Sequence, residues 1–221
     1  VVEPLVYSVD ETGLVRPDGG WWAKPYPGEH FTFTSLAAYN GLNSASTVAH
    51  LLEHDAQSDN YIKSAADLRA NILTELTIGK SLMMARSLET SDFPFFLDAT
   101  VVEAVNWRVV DTYWKTANSI RQSLDAFFRV ADSTRGFCLG YREDTQQMPE
   151  SPFVTLRAFE ALSKLGENDK AQLVLDWIIE QSIRNADMVP DYFENATAAY
   201  SGAYPMIGLG AAPLILAILQ D

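Results

Sequence analysis

Cysteine is almost missing from this chain. Cys138 is the only one among 221 residues, so no disulfide forms within the chain. Positive charge is also short: 16 Lys and Arg stand against 29 Asp and Glu, a net charge of −13. Nucleic acids and anionic membrane surfaces are held by Lys and Arg, so this balance argues against both and leaves neutral substrates open. No apolar run reaches the roughly 18 residues needed to span a bilayer. Strict alternation of apolar and polar residues is nearly absent, so strands are not expected to carry the fold. No Gly-rich phosphate loop follows a strand, and no motif pairs Cys138 or a Ser with a His. Nucleotide binding and nucleophilic catalysis therefore have no support, and no cofactor is expected. No basic segment or signal-peptide pattern opens the chain, as in a mature or trimmed chain. Asn195-Ala196-Thr197 fits the N-glycosylation pattern, although so short a motif arises often by chance. The compartment is left open, with secretion slightly favoured over the cytoplasm.

What the chain does have is apolar and aromatic material, 48% and 11% of its residues, enough for a sizeable core. The expected organisation is a single all-α domain over 1–221. Residues 1–31 read as an irregular aromatic loop segment, broken by Gly13, Pro17, Gly19, Gly20, Pro25, Pro27 and Gly28. Trp21, Trp22 and Tyr26 lie close together within it, suited to stacking on flat ligand faces such as sugar rings or to plugging a loop onto the core. Residues 32–221 read as helical hairpins. A helix is expected from Thr34, capped by Thr34 or Ser35, with Leu36, Ala37, Tyr39, Leu42, Ala45, Val48, Ala49, Leu51 and Leu52 recurring at three and four. A second is expected over 59–76 and an extended piece over 80–88. A helix capped by Asp98 follows, then others over 112–131, 152–165 (stopped by Gly166), 170–183 and 208–219. His50 and His54 sit one turn apart, but no third ligand is evident, so they read as a solvated helix end and no metal is expected.

The last stretch, Asp187 to Leu219, organises the rest. A turn-rich loop carries Asp191, Tyr192, Glu194, Tyr200 and Tyr204. An uncharged run from Pro205 to Leu219 follows, expected to be buried on most sides. A carboxylate on a loop held by a buried helix is a common way to fix an acid or base.

Five stretches together resemble the six-hairpin (α/α)6 glycosidases, most closely glycoside hydrolase family 15, the glucoamylase-like group. GEHFTFTSLAAYNGLNSASTVAHLL resembles the run after the family's Trp-Glu-Glu motif. FFLDATVVEAV resembles its Asp-Ala helix, and GFCLGYREDT its Gly-Arg-Tyr-x-x-Asp loop. SPFVTLRAFEALSKLGENDKAQLVLDWI resembles its penultimate hairpin. MVPDYFE falls where the family carries Pro-Glu-Gln or Ala-Glu-Gln. The resemblance covers about Gly20 to Leu219 and implies part of an (α/α)6 toroid: it begins about halfway through a twelve-helix barrel. It therefore implies a missing N-terminal half-barrel segment, or a homo-oligomer that completes the ring; a reduced domain standing alone is the third possibility. There are departures. Ala23-Lys24 stands where the family has its catalytic Glu-Glu, Gly140 where it has a sugar-binding Arg (with Arg142 nearby), and Asp191 where it has a catalytic Glu.

The resemblance implies a glycoside hydrolase acting on an α-glucoside or related oligosaccharide, with inversion. Such hydrolysis needs a protonated and an ionised carboxyl group about 6.5–9.5 Å apart. Asp191 is the candidate general base, with Glu194 in reserve. Glu29 is the candidate acid, provided burial against the aromatic loop raises its pKa. Trp22, Trp107, Tyr141, Arg142, Tyr192 and Tyr204 are candidate substrate contacts. Two alternatives stay open. One is a catalytically degenerate carbohydrate-binding protein or non-catalytic subunit, as the missing acid suggests. The other is a helical-hairpin protein with unrelated chemistry.

Overall fold

The computed structural model describes residues 2–19, 28–80, 82–90, 99–130, 151–194, 199–201 and 210–219; for 99, 100 and 126–130 only the backbone is described. The chain is all-α. Helix α1 (Glu3–Val6) is one turn; α2 (Thr32–Leu51) and α3 (Asp55–Glu75) are long; a 3-10 turn (Ala99–Val102) runs into the short α4 (Glu103–Asn106). Then come α5 (Lys115–Val130), α6 (Pro152–Lys164), α7 (Asn168–Arg184) and α8 (Ala211–Ile218). Among the described residues two small antiparallel hairpins interrupt them. In the first, β1 (Thr77–Ile78) meets β2 (Met83–Met84), with Thr77 opposite Met84. In the second, β3 (Tyr192–Phe193) meets β4 (Tyr200–Ser201), with Phe193 opposite Tyr200. Of residues 80–88, expected to be extended, Met83–Met84 form β2 and Ser87 bridges Phe31, while Leu82 at φ +53 belongs to the turn that follows Gly79, whose φ of +71 suits a residue without a Cβ.

Helix α2 lies beside α4, α4 beside α6 and α6 beside α8, so a row forms in chain order. Helices α3 and α7 double this row as the return arms of two hairpins. Short turns make them antiparallel. Ser46 and Ser58 stitch the first hairpin: each hydroxyl donates to the other's carbonyl at 3.0 Å. The core runs continuously through the row, from Leu36, Leu42, Leu68 and Ile72 through Val105, Ile120 and Leu124 to Leu156, Leu162, Val174 and Ile178.

Helix ends follow local chemistry. Ser151 caps α6, accepting from the Val154 N–H, and Pro152 takes the first helical position, where no N–H is needed. Gly166 at φ +79 ends α6 as expected, and the Glu167 N–H reaches back to the Leu162 carbonyl at 2.9 Å. The start of α2 differs from expectation: Phe31 holds the cap position without a side-chain bond. Ser35 is buried and accepts from the Val15 N–H at 3.2 Å, tying the N-terminal segment to the core. Residues 2–19 of it hold more regular pairing than Gly13 and Pro17 suggest. Val9 bridges Val15, and Leu14 and Val15 enter the core.

Some expected core positions lie outside. Tyr113 is 83% exposed because α5 begins after it, and Leu173 yields its inward place to Leu175. Val48, Leu51, Leu52 and Ile62 are exposed where α2 meets α3. The largest correction concerns α8. Only Pro213 and Ala217 are buried along it, while Ile215, Leu216, Ile218 and Leu219 are exposed. An uncharged helix is buried on most sides only if it has neighbours on most sides, and within the described residues α8 packs mainly on α6. The Asp98 cap, the Phe93-Pro94-Phe95-Phe96 loop, and the inward Phe127 and Phe128 side chains lie outside what is described.

Candidate functional site

Three arrangements hold the sequence-predicted residues that fall within the described structure. The first is an extended segment leading into α2. Glu29 pairs with Asp18 on one side, and Phe31 pairs with Ser87 on the other. The Thr32 N–H donates to the Arg86 carbonyl at 2.8 Å, and the Leu88 N–H to the His30 carbonyl at 3.2 Å. This pairing places Glu29 over three donors. Arg86, 2% exposed, donates from one nitrogen to both carboxylate oxygens at 2.7 and 3.1 Å. The Ser87 and Thr90 hydroxyls donate to Glu29 Oε2 at 2.6 and 3.1 Å. Burial pushes the Glu29 pKa up, but the bonds from Ser87 and Arg86, the Arg86 charge and the Thr90 bond outweigh it, and the net shift is downward. The expectation that burial would raise Glu29 is thus reversed: the segment brings a buried guanidinium to it. The carboxyl is held ionised, as an acceptor.

The second arrangement is the Asp191 loop. Helix α7 ends with Ala186 at φ +59, and the Asp187 N–H reaches back to the Ser182 carbonyl at 2.9 Å. The chain then turns through Val189 and Pro190, both buried, into β3. Two anchors hold the loop. Phe193 inserts edge-on against Trp177, with ring centroids 5.1 Å apart. The Tyr200 hydroxyl donates to the Met188 carbonyl. Gly210, before α8, completes the fit: a Cβ there would stand 2.6 Å from Val189 Cγ1 and 2.8 Å from the Pro190 carbonyl. Asp191 is half-buried on this loop, and desolvation raises its pKa, with no bond or cation among the described residues acting against it. Tyr192 is half-buried beside it; burial, then the Asp191 charge, raises the phenol. Glu194, the reserve base, is exposed.

The third is a cavity of about 270 Å³ lined by Glu103, Trp107, Phe153, Arg157, Ala212, Pro213 and Leu216. Trp107 forms part of its wall and packs on Phe33 with centroids 6.0 Å apart. Glu103, 1% exposed, is gripped at both oxygens by Arg157, through Nε and a terminal nitrogen at 2.5 Å each. Arg157 also pairs with Glu160, and Lys164 reaches Glu160 at 2.5 Å and the Asn106 carbonyl at 2.7 Å. The bonds and charges of Glu103 and Glu160 overcome burial and raise the Arg157 pKa, so the cation is fixed. Sequence reasoning missed this pair. The available signal was one charged residue inside each of two apolar runs, VVEAV and FVTLRAF; a charge so placed needs an opposite one.

Helix α8 joins the last two arrangements: Gly210 meets the Asp191 loop, and Ala212 and Pro213 line the cavity. Helix α2 joins the first to the third, since Phe33 stands four residues after Glu29 and touches Trp107. Trp22, Tyr141, Arg142 and Tyr204 lie outside the described residues, as do Cys138 and the Ala23-Lys24 pair. His50 is exposed and near Asp55, at 3.2 Å. Among the described residues no group of three His, Cys, Asp or Glu is placed to hold a metal, and no helix is long and apolar enough to cross a membrane.

No family profile and no curated protein matches this sequence. Solved structures do. A wild-type glycosidase aligns with TM-score 0.70 and 18% identity over 97% of this chain and 56% of that one. A bacterial glucoamylase complexed with acarbose aligns with TM-score 0.73 and 13% identity, over 98% of this chain and 36% of that one. A rhamnosidase from Klebsiella oxytoca with rhamnose bound aligns with TM-score 0.64 and 14% identity, over 96% and 39%. The chain spans about half the length of the first of these and less of the others. At such identities the likeness is one of fold: an all-α, toroid-like array of helical hairpins.

Proposed function

We propose that this chain forms part of the helical toroid of a glycoside hydrolase and supplies its general base, Asp191. The observation that carries the reading is the Asp191 carboxyl itself. It is half-buried and desolvated, and it stands on a loop fixed by Tyr200, Phe193 and Gly210, in a fold shared with solved glycosidases. A carboxyl that has no structural partner among the described residues, on an anchored loop, is what proton abstraction from a water asks for. The substrate class is an α-glucoside or related oligosaccharide, with inversion, in the glucoamylase-like manner that the sequence resembles. Trp107 and Tyr192 offer ring faces near the loop and cavity. The open side of the row is completed by a further helical segment or by another copy of the chain.

Glu29 favours the second reading. An ion-paired carboxylate below its ordinary pKa is a poor proton donor, so this segment supports sugar binding without turnover unless another carboxyl serves as the acid. A screen of α-linked oligosaccharides, with binding and hydrolysis followed separately, decides between the two. Hydrolysis that Asp191→Asn lowers by about 10²–10⁴-fold while binding survives supports the base. Binding without hydrolysis by the wild type supports the degenerate reading, and absence of both removes carbohydrate from consideration.

A further inference from the structure

One imidazole stitches three separate segments together beside Glu29. His30 is 9% exposed. Its Nε2 lies 2.9 Å from Asp10 Oδ2 and its Nδ1 lies 2.5 Å from Glu89 Oε1. The His30 backbone N–H donates to Glu89 Oε2 at 2.9 Å. Asp10 is fixed in turn by Thr12, whose backbone N–H and hydroxyl donate to Oδ1 at 2.9 and 2.6 Å. Asp10 opens the turn that delivers Leu14 and Val15 to the core, and its N–H donates to the Leu14 carbonyl at 3.0 Å. The ring thus faces one carboxylate from the N-terminal turn and another from the segment after β2.

A neutral imidazole has one N–H and one bare lone pair, so between two carboxylates it satisfies one and repels the other. An imidazolium donates to both, at the short separations of charge-assisted bonds. We propose that His30 is a proton-operated clasp: protonated, it joins residues 9–15 to the Glu29 segment and to Glu89; on losing its proton it lets one carboxylate go, and the N-terminal turn loosens.

The surrounding charges fit this device. Asp10 is held at about 2, by the Thr12 and His30 bonds chiefly, so it is ionised wherever the clasp matters. The neighbouring Glu29 and Arg86 neutralise each other. Burial pushes the His30 pKa down, yet the bonds and charges of Glu89 and Asp10 prevail and the net shift is upward. A raised histidine contributes stability that is complete below its ordinary pKa of about 6.5 and is lost as pH rises through the folded value. The clasp therefore opens on the alkaline side. At the acid end Asp10 contributes fully above its ordinary 3.8 and less as pH falls toward about 2.

The test needs the intact chain only. His30 is titrated by NMR, and amide protection at Asp10, Gly13 and Arg16 is followed from about pH 5 to about pH 9, corrected for intrinsic exchange. The expected result is a His30 pKa above the ordinary value and protection in this turn falling by up to about tenfold per pH unit beyond it, with α6 and α7 unchanged. Glu89→Gln should lower that pKa and start the opening at lower pH. A His30 pKa at or below the ordinary value, or a turn whose protection ignores pH, overturns the clasp. So does a Glu89→Gln protein in which neither changes. The wild-type titration decides the matter even if that variant fails to fold.

Discussion

Asp191 is half-buried without a compensating charge among the described residues. Desolvation raises its pKa and nothing among the described residues offsets it, so the ionised form destabilises the folded state. For a carboxyl raised on folding, the penalty is full above the raised value, shrinks as pH falls from there, and is gone below the ordinary 3.8. Asp191→Asn should therefore raise the melting temperature at neutral pH while removing any hydrolysis, the combination expected of a residue kept for chemistry. A melting temperature lowered by this change would place Asp191 among the structural residues. Glu103 and Arg157 should behave in the opposite way. Truncating Arg157 to Ala leaves a carboxylate buried without its partner and should cost about 3–5 kcal/mol in denaturant unfolding. Replacing both by Met should recover most of that loss. The sequence singled out Asp191 as a candidate, since its loop and the residues after it stand out. The partner of Glu29 was not legible: Arg86 lies 57 positions away and meets it only through the pairing of two extended segments.

At the level of elements, helix ends carry the clearest predictions. Ala186 closes α7 at a φ of +59, where a Cβ crowds the backbone, whereas Gly166 closes α6 at a similar angle without that crowding. Ala186→Gly should stabilise the protein by about 0.5–1 kcal/mol, read as a shifted denaturation midpoint with unchanged slope. Gly210→Ala should act differently. Its new Cβ meets Val189 and the Pro190 carbonyl and must push the Asp191 loop aside, so any hydrolysis should fall more than stability does. Apolar spacing placed α6 and α7 to within two residues, and α6 carries both a cap and a stop in its own sequence, Ser151 and Gly166. The same spacing misjudged Tyr113 and Leu173, since periodicity names a face and only neighbours decide which part of it is covered.

At the scale of the whole molecule, the row α2–α4–α6–α8 leaves apolar surface at its two end members. Val48, Leu51 and Leu52 are exposed on or just beyond α2, and Ile215, Leu216, Ile218 and Leu219 on or just beyond α8. Patches of this kind mark surfaces that something covers. Sedimentation at micromolar concentration should show a species heavier than the 24.5 kDa chain, or one that carries a second polypeptide. A clean monomer at that mass would speak against completion of the ring by association. Substituting Leu216 and Leu219 with Ser should shift any such equilibrium toward the monomer.

The sequence alone determined the fold class and the order of the hairpins, because helical periodicity, caps and stops are local and act over a few residues. It also singled out the Asp191 loop, through the contrast between a polar turn and the uncharged run after it. Only the tertiary structure decided the charge states. Glu29 is ionised because Arg86 is folded onto it, His30 is held between two carboxylates from distant segments, and Glu103 is tolerated in the core because Arg157 lies beside it. Burial and pairing belong to neighbours brought together across the chain, and those set a proton's affinity more strongly than the residue's own identity does.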